Sequence, residues 1–284
     1  MIVWLVFLLG FGYLVVALVY AARQEQLFFK PRRELATTPA AAGLPFEDVT
    51  IVADDGVHLH GWWLPAAVTA NEPEPAGSPG RGRTLLYLHG AAVDLGGRVD
   101  ALAFWSSLGF AILAVDYRGY GRSEGRPTEA GLYADAHAAW RWLMDERGLA
   151  AEHVVVAAES LGVAVATELG RHVRPAGLVL EAGFTDAAAV AARRYPWLPV
   201  RQMMRLRLDS AATIASVRSP KLIVHSVEDD LVPISMGRRL QQRAGRSCDF
   251  LSIRGAHARA CVAGGDRYRR GVVRWLEKLP ETTT

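Results

Sequence analysis

The sequence predicts an α/β fold, with a mostly parallel central sheet covered by helices on both faces, plus one N-terminal transmembrane helix. The first observation is a charge-free apolar run at the N-terminus. The second is a series of short, nearly continuous apolar runs, which are typical of strands buried on both faces. The third is that stretches with helical spacing of apolar residues separate those runs, as in a doubly wound sheet.

The N-terminal run, Met1–Ala22, contains no charged side chain. A helix of roughly 20 apolar residues crosses the hydrocarbon core of a bilayer. We therefore predict a transmembrane anchor at 1–23, which meets the membrane through residues 2–22, and a juxtamembrane linker at 24–45. One alternative is a cleaved signal peptide, which would have a charged start and a shorter apolar core. The other is a buried core helix, although cores rarely supply such a uniformly apolar stretch at the terminus.

The charges that flank the predicted anchor indicate its orientation. Basic residues follow the helix, whereas only the α-amino group precedes it. These residues are Arg23, Lys30, Arg32 and Arg33. The positive-inside rule then predicts a single-pass membrane protein with its soluble domain on the cytoplasmic side.

The soluble part is predicted to be one domain at 46–280, followed by a short tail at 281–284. It begins with Phe46–Val52 and Val57–Leu64, which flank Asp54-Asp55-Gly56. Asp-Gly between two strand-like runs is a tight-turn signal, so we expect an antiparallel hairpin. The Pro-, Gly- and Ala-rich stretch at 66–83 is interpreted as a surface loop.

Beyond that loop, strands and helices are predicted to alternate. The apolar runs are Thr84–Leu88, Ala111–Val115, Val154–Ala158, Leu178–Leu180 and Leu222–Val224 with their neighbours, and Asp249–Ile253. The helical stretches are Thr128–Arg147, Leu161–His172 and Asp266–Leu279. An antiparallel start followed by parallel strand–helix units completes the predicted architecture.

The composition and the minor motifs exclude several classes of function. The chain is 51% hydrophobic with a net charge of +3, and its basic residues are scattered, so nothing indicates nucleic-acid binding. Cys248 and Cys261 cannot make a disulfide framework and are predicted to be ordinary thiols. His58 and His60 are spaced like a metal pair but have no third ligand nearby. We therefore expect no metal and no cofactor.

The residues around Ser160 resemble a nucleophile on a strand-to-helix turn. Val154–Gly162 is an apolar strand, then the serine, then a helix start. Such a turn requires small residues two positions before and after the nucleophile, which here are Ala158 and Gly162. The alternative is that Ser160 only caps the helix.

Two later residues favour the catalytic interpretation. A serine needs a base to take its proton, and the base needs an orienting carboxylate. Asp229 follows the strand at 221–224, with Glu228 and Asp230 as local alternatives, and His257 lies in a glycine-containing loop before the last helix. We therefore predict a Ser160–Asp229–His257 triad.

These motifs together resemble the α/β-hydrolase family, in particular its membrane-anchored "alpha/beta hydrolase domain-containing" branch. The matching residues are Leu88-His89-Gly90, Asp116–Ser123, Glu159–Gly162, Tyr195–Pro199, the Asp229 loop and Gly255-Ala256-His257. The chain departs from the family pattern at Ala158 and Ser226, where glycine is usual, and at Val163, where glycine is frequent in the branch.

The resemblance implies further site residues. Backbone N–H groups of Ala91 and Leu161 are expected to form an oxyanion hole, while His89 is expected to pack and hold its loop. Residues 184–212 fall where such enzymes place a cap over the site. Within this cap, Tyr195, Trp197, Met203 and Met204 are candidates for an acyl pocket, or alternatively core residues under a surface helix.

The predicted function is that of a serine hydrolase that cleaves acyl esters or thioesters of a small-molecule or lipid substrate through an acyl-enzyme. Two alternatives remain open. One is a catalytically silent, membrane-anchored binding or scaffold protein, and the other is a peptidase on the same fold.

Overall fold

The computed structural model describes residues 1–66, 78–257 and 264–280. Helix α1 covers Ile2–Phe28, and its most apolar 18-residue window has a mean hydropathy of 2.7. By length and composition it can cross a membrane. The helix runs five residues past the predicted anchor boundary at 23, so the predicted linker begins inside it. Most of the predicted loop at 66–83, and the predicted tail, lie outside the described residues.

The remainder of the predicted linker packs on the domain. Phe29 is only 1% exposed, and the Lys30 N–H donates to the Ala91 carbonyl at 3.2 Å. The Gly121 N–H donates to the Arg32 carbonyl at 2.7 Å. These bonds tie the residues after α1 to loops that are distant in sequence.

An eight-stranded sheet forms the centre of the fold. Its strands are β1 Glu47–Val52, β2 His58–Leu64, β3 Thr84–Leu88, β4 Ala111–Val115, β5 Val154–Glu159, β6 Gly177–Glu181, β7 Lys221–Ser226 and β8 Cys248–Ile253. Their order is β1-β2-β4-β3-β5-β6-β7-β8. β1 and β2 form the predicted hairpin, β2 is also antiparallel to β4, and the other pairings are parallel.

Helices cover both faces of the sheet, as predicted. They are α2 Val99–Ser106, α3 Glu129–Asp145, α4 Leu161–His172, α5 Ala187–Arg194, α6 Val200–Met203, α7 Ser210–Thr213, α8 Ile234–Ala244 and α9 Gly265–Leu276. Buried residues of α3, α4 and α8 pack on one face, and those of α2 and α9 on the other. Strand residues alternate between the two faces, since Leu86 and Leu88 join the first core and Leu85 and Tyr87 the second.

A third apolar cluster joins α1 to the segment predicted as a cap, residues 184–212, which contains α5, α6 and most of α7. Ala17 and Tyr20 of α1 are buried against Ala191, Leu198 and Val200 of the cap. This contact was not predicted, and it places the N-terminal helix beside the carboxyl ends of the parallel strands.

Candidate active site

Ser160 occupies a sharp turn between β5 and α4. Its φ is 50° and its ψ is −111°, a conformation that costs an L-residue about 1–3 kcal/mol. The Ser160 N–H donates to the Glu181 carbonyl of β6 at 2.8 Å, which holds the turn. A Cβ atom on Gly162 would lie 2.2 Å from the Leu88 carbonyl oxygen, so only glycine fits there. The small residue two positions after the serine therefore has a direct steric cause.

The three residues of the predicted triad lie in one hydrogen-bonded line. His257 Nε2 is 2.9 Å from Ser160 Oγ, and His257 Nδ1 is 2.7 Å from Asp229 Oδ2. The other carboxylate oxygen, Asp229 Oδ1, accepts the N–H groups of Leu231 at 3.1 Å and Val232 at 2.8 Å. Asp229 is only 7% exposed, and these hydrogen bonds fix the position of its carboxylate.

The two neighbouring acids have other environments. The Glu228 carboxylate accepts the Gly255 N–H at 3.0 Å and pairs with Arg254 at 3.2 Å. It therefore fastens the loop that carries His257. Asp230 is exposed to solvent.

Ser226 makes a second link between the acid loop and the histidine loop. Its hydroxyl donates to the Gly255 carbonyl at 2.5 Å and accepts the Glu228 N–H at 3.0 Å. The departure from glycine at this position thus adds two bonds that fix the approach to His257.

His225, at the end of β7, belongs to the site but was assigned from the sequence only to a strand. Its ring is buried, and Nε2 is 2.7 Å from the Val232 carbonyl oxygen and 3.6 Å from Asp229 Oδ2. Burial lowers the pKa of His225. A neutral imidazole donating from Nε2 supports the loop that holds Asp229. A histidine directly after the apolar strand core Leu222–Val224 was the available signal.

Ala91 and Leu161 both line the cleft beside Ser160. Leu161 is the first residue of α4, and an N–H at that position has no acceptor within the helix. The Ala91 carbonyl accepts a hydrogen bond from the Tyr120 hydroxyl at 3.0 Å. His89 is fully buried, with Nδ1 2.7 Å from the Gly90 carbonyl oxygen, and burial lowers its pKa.

The cleft at Ser160 has a volume of about 170 Å³. Its walls are mostly apolar, and among the described residues the charged members of the wall are Lys30 and Arg194. The wall residues are Tyr20, Gln24, Leu27, Phe28, Lys30, Ala91, Ala92, Ser160, Leu161, Phe184, Val190, Ala191, Arg194, Tyr195, Leu231 and Val232.

Only part of the predicted acyl pocket is found in this wall. Tyr195 lines the cleft, whereas Trp197, Met203 and Met204, all within the described chain, do not. Met203 and Met204 pack against the cluster formed with α1, and Trp197 is 56% exposed beside Tyr13. Their apolar character serves contact with α1, which occupies the side of the cap on which they lie.

The wall contributed by α1 was missed, although a signal was present. Tyr13, Ala17, Tyr20 and Gln24 are spaced at about one helical turn, so they share one face of a mostly apolar helix. A stripe of aromatic, small and polar residues on such a helix indicates contact with protein.

The candidate metal residues and the cysteines have ordinary surroundings. His58 pairs with Glu124 at 3.1 Å, and His60 Nε2 is 2.6 Å from Asp48. Among the described residues, no group of three His, Cys, Asp or Glu side chains is arranged to hold a metal ion. Cys248 is buried, which raises the pKa of its thiol to about 11, and Cys261 lies outside the described residues.

Comparison with known proteins agrees with this architecture. The family model described as "Serine aminopeptidase, S33" matches residues 81–210. The chain is 35% identical over 249 residues to the uncharacterized protein Rv2307c of Mycobacterium tuberculosis, a match that covers 85% of each chain. It is 28% identical to the alpha/beta hydrolase domain-containing protein WAV2 of Arabidopsis thaliana, over 95% of this chain and 93% of that protein.

Two further matches concern a human protein and a solved structure. The chain is 34% identical to the alpha/beta hydrolase domain-containing protein 17B of Homo sapiens over 63% of this chain and 61% of that protein. The esterase Pf2001 of Pyrococcus furiosus has a similar structure, with a TM-score of 0.72 at 21% identity, covering 88% of this chain and 99% of that chain. With the sheet order and the turn at Ser160, these matches show that the chain belongs to the α/β-hydrolase family.

Proposed function

We propose that this protein is a membrane-anchored serine hydrolase that cleaves acyl esters or thioesters. The observation that carries the proposal is the continuous line of hydrogen bonds from Ser160 through His257 to the buried Asp229, which opens onto an apolar cleft. A serine hydroxyl within 2.9 Å of an imidazole that is itself held by a carboxylate has the arrangement needed for nucleophilic attack.

In the proposed mechanism, Ser160 Oγ attacks the carbonyl carbon of the substrate while His257 Nε2 takes the hydroxyl proton. Asp229 holds the imidazole in the required tautomer and stabilises its protonated form. The N–H groups of Ala91 and Leu161 stabilise the oxyanion. The tetrahedral intermediate collapses, the bond to the leaving group breaks, and His257 gives its proton to the departing oxygen or sulfur, which leaves as an alcohol or a thiol. Water then attacks the acyl-enzyme while His257 takes its proton. The bond between the acyl carbon and Ser160 Oγ breaks, His257 returns the proton to Ser160, and the carboxylic acid leaves.

The cleft favours esters over peptides with a free amino terminus. An aminopeptidase binds the substrate ammonium group with a carboxylate or a comparable acceptor. Among the described residues of the cleft wall, however, the charged side chains are the cations Lys30 and Arg194. An apolar wall with two cations is suited to an acyl chain whose other end is neutral or anionic.

The departures from the family pattern are accommodated without disturbing the site, which argues against a silent scaffold. Ala158 is buried on β5 with its neighbours in register. Val163 fills the space over Gly183, where a Cβ would lie 2.6 Å from a Val163 methyl group. Ser226 contributes the two loop bonds described above.

The membrane part of the proposal depends on α1. We infer that its charge-free portion at 2–22 anchors the protein and that the domain at 46–280 lies on the cytoplasmic side, because basic residues follow the helix. Residues 184–212 act as the cap in this proposal, with Tyr195 as the member of the predicted pocket that meets substrate.

The proposal is tested by labelling detergent-solubilised protein with a fluorophosphonate probe. Wild type should be labelled and should hydrolyse p-nitrophenyl esters, and Ser160→Ala should lose labelling and at least about 10⁴-fold in kcat, because the nucleophile is absent. Ser107→Ala is the matched control and should behave like wild type, because it removes an exposed hydroxyl that donates to the Phe104 carbonyl and accepts from the Arg269 guanidinium, away from the cleft wall as described.

The opposite result is equally informative. A folded wild-type protein that neither reacts with the probe nor turns over any acyl ester would overturn the hydrolase proposal and favour the binding or scaffold protein.

A further inference from the structure

One wall of the cleft is formed by the helix that carries the charge-free N-terminal run. Tyr20, Gln24, Leu27 and Phe28 of α1 line the cleft together with Ser160. These residues form the last two turns of the helix that begins at Ile2. The proposed membrane segment and the wall of the active site are therefore continuous, without an intervening linker.

The contacts that hold α1 in this position are specific. The Gln24 side-chain oxygen accepts the backbone N–H groups of Arg205 at 2.5 Å and Leu206 at 3.3 Å. The Tyr20 ring packs edge-on against Tyr195, with centroids 5.3 Å apart. Phe28 packs on Phe184 at 5.9 Å. Each of these contacts joins α1 to the cap or to the loop that leads into it.

The cap also extends along the charge-free part of α1. Tyr13 packs against the Trp197 ring at 6.3 Å and donates from its hydroxyl to the Trp197 carbonyl at 3.1 Å. Tyr13 is eleven residues before Gln24, a distance of about 16 Å along a helix. The cap thus follows the helix well into the stretch that is proposed to contact lipid.

The length of α1 then limits where the membrane lies. Residues 2–12 precede the first cap contact and supply about 16 Å of helix, whereas the hydrocarbon core is about 30 Å thick. If α1 crosses the bilayer, the part beside the cap must lie within the bilayer as well. The first charged residue of the chain, Arg23, comes only after that part.

The exposed surface of the cap has the composition of a membrane interface. Its tip, Tyr195–Pro199, contains no charge, and Trp197 points a largely exposed indole outward. Arg193, Arg194 and Arg201 flank the tip and are exposed. An aromatic tip between basic residues is typical of segments that lie at the level of lipid headgroups.

We propose that the tip of the cap enters one leaflet beside α1, and that the cleft takes acyl esters whose acyl chain is embedded in that leaflet. The chain reaches Ser160 along the wall formed by Tyr20, Leu27 and Phe28, without passing through water. This inference rests on the proposed function and narrows its substrates to membrane-embedded long-chain esters.

The first test compares two leucines of α1 in protein reconstituted into phosphatidylcholine vesicles. Leu27 lines the cleft, whereas Leu18 is exposed on the same helix and is absent from the cleft wall as described. The readout is the ratio of kcat/KM for p-nitrophenyl laurate to that for p-nitrophenyl acetate. Leu27→Trp should lower this ratio by about 10-fold or more because the indole fills the acyl path, and Leu18→Trp should leave it within about 2-fold of wild type.

A second variant guards against a folding defect. Leu27→Ala removes volume from the same wall and should move the ratio in the direction opposite to Leu27→Trp. If both Leu27 variants keep the wild-type ratio, α1 is not part of the acyl path and the inference is wrong.

The second test measures depth in the membrane. In a chain with both cysteines replaced by serine, a fluorophore is attached through Trp197→Cys or through Glu152→Cys. Glu152 is exposed just before β5, at the opposite end of the parallel strands from the cleft. Nitroxide lipids should quench the label at position 197 and not the one at 152; equal quenching at both positions, or none at 197, contradicts the inference.

Labelling by the fluorophosphonate and turnover of the acetate ester in wild type report the proposed function separately. If both are absent, the proposed function fails and this inference with it. Both signals could instead be present while the Leu27 variants keep the laurate-to-acetate ratio of Leu18→Trp and the label at 197 is quenched no more than the label at 152. In that case only the leaflet inference is overturned.

Discussion

Asp229 and Asp230 are adjacent in the sequence but have opposite surroundings. Asp229 is buried and accepts two backbone N–H groups and the His257 imidazole, whereas Asp230 is exposed. The sequence alone left three acids open at this position, because all three carry a carboxylate and lie in the same loop. What separates them is the path of the loop after β7, which only the folded structure contains.

The two aspartates form a matched pair for mutation. Asp229→Asn keeps the size of the side chain but removes the charge that stabilises the imidazolium and selects its tautomer. We expect kcat for p-nitrophenyl acetate to fall by about 10³- to 10⁴-fold, with KM little changed. Asp230→Asn removes one exposed charge and should stay within about 2-fold of wild type in both constants.

Steady-state kinetics of the two purified variants at neutral pH, with circular dichroism to show that both are folded, would check this. Equal activities in the two variants would mean that Asp229 is not the orienting carboxylate and that the line of hydrogen bonds serves structure alone.

At the scale of whole elements, the sequence was a good guide to the strands and helices of the domain. Val154–Ala158 and Thr84–Leu88 were recognised because strands buried on both faces are apolar at nearly every position. The hairpin followed from Asp55-Gly56, and Gly56 has a φ of 81° in the turn. Small errors occurred at element ends, as at Glu159, where hydrogen bonding and not hydropathy ends the strand.

The packing of α1 was less predictable because lipid and protein interiors both select apolar side chains. Hydropathy therefore identifies the helix but not which face meets the cap. Trp197, Met203 and Met204 were left open between a substrate pocket and core packing for the same reason, since an apolar residue in a cap fits either environment. Gln24 is the exception, because a buried amide must find hydrogen-bond partners and so indicates a protein contact.

Gln24 gives the prediction at this scale. Replacing it with alanine leaves the N–H groups of Arg205 and Leu206 without the acceptor they have now. We expect Gln24→Ala to lower the free energy of unfolding by about 1–3 kcal/mol. Denaturant titration in a fixed detergent, followed by tryptophan fluorescence, would measure the change.

The matched control is Gln26→Ala, two residues away on the exposed side of the same helix. It should change the unfolding free energy by less than about 0.5 kcal/mol. If both substitutions have equally small effects, the junction between α1 and the cap contributes little to stability.

Across the whole molecule, a buried polar cluster ties the centre of the sheet to both the nucleophile turn and the last helix. Glu181 ends β6, its carboxyl accepts a hydrogen bond from the Tyr268 hydroxyl of α9, and its carbonyl holds the Ser160 N–H. Glu159 ends the neighbouring β5 and pairs with Arg98. The sequence did not reveal this cluster, because an acid at the end of an apolar strand is usually solvated.

The protonation of Glu181 should make global stability depend on pH. Burial, the largest cause, raises the pKa of Glu181 from 4.5 to about 8. Between these values the folded protein keeps a proton that the unfolded chain releases, so this contribution to stability is complete below about pH 4.5 and is lost as the pH rises toward 8. Glu181→Gln, which stays neutral, should flatten that part of the profile. Urea unfolding at intervals from pH 5 to 9 would give the unfolding free energy of wild type and of Glu181→Gln as a function of pH. Parallel profiles for the two proteins would show that Glu181 is ionised in the folded protein. Arg98, beside Glu159, would then offset the burial of its charge.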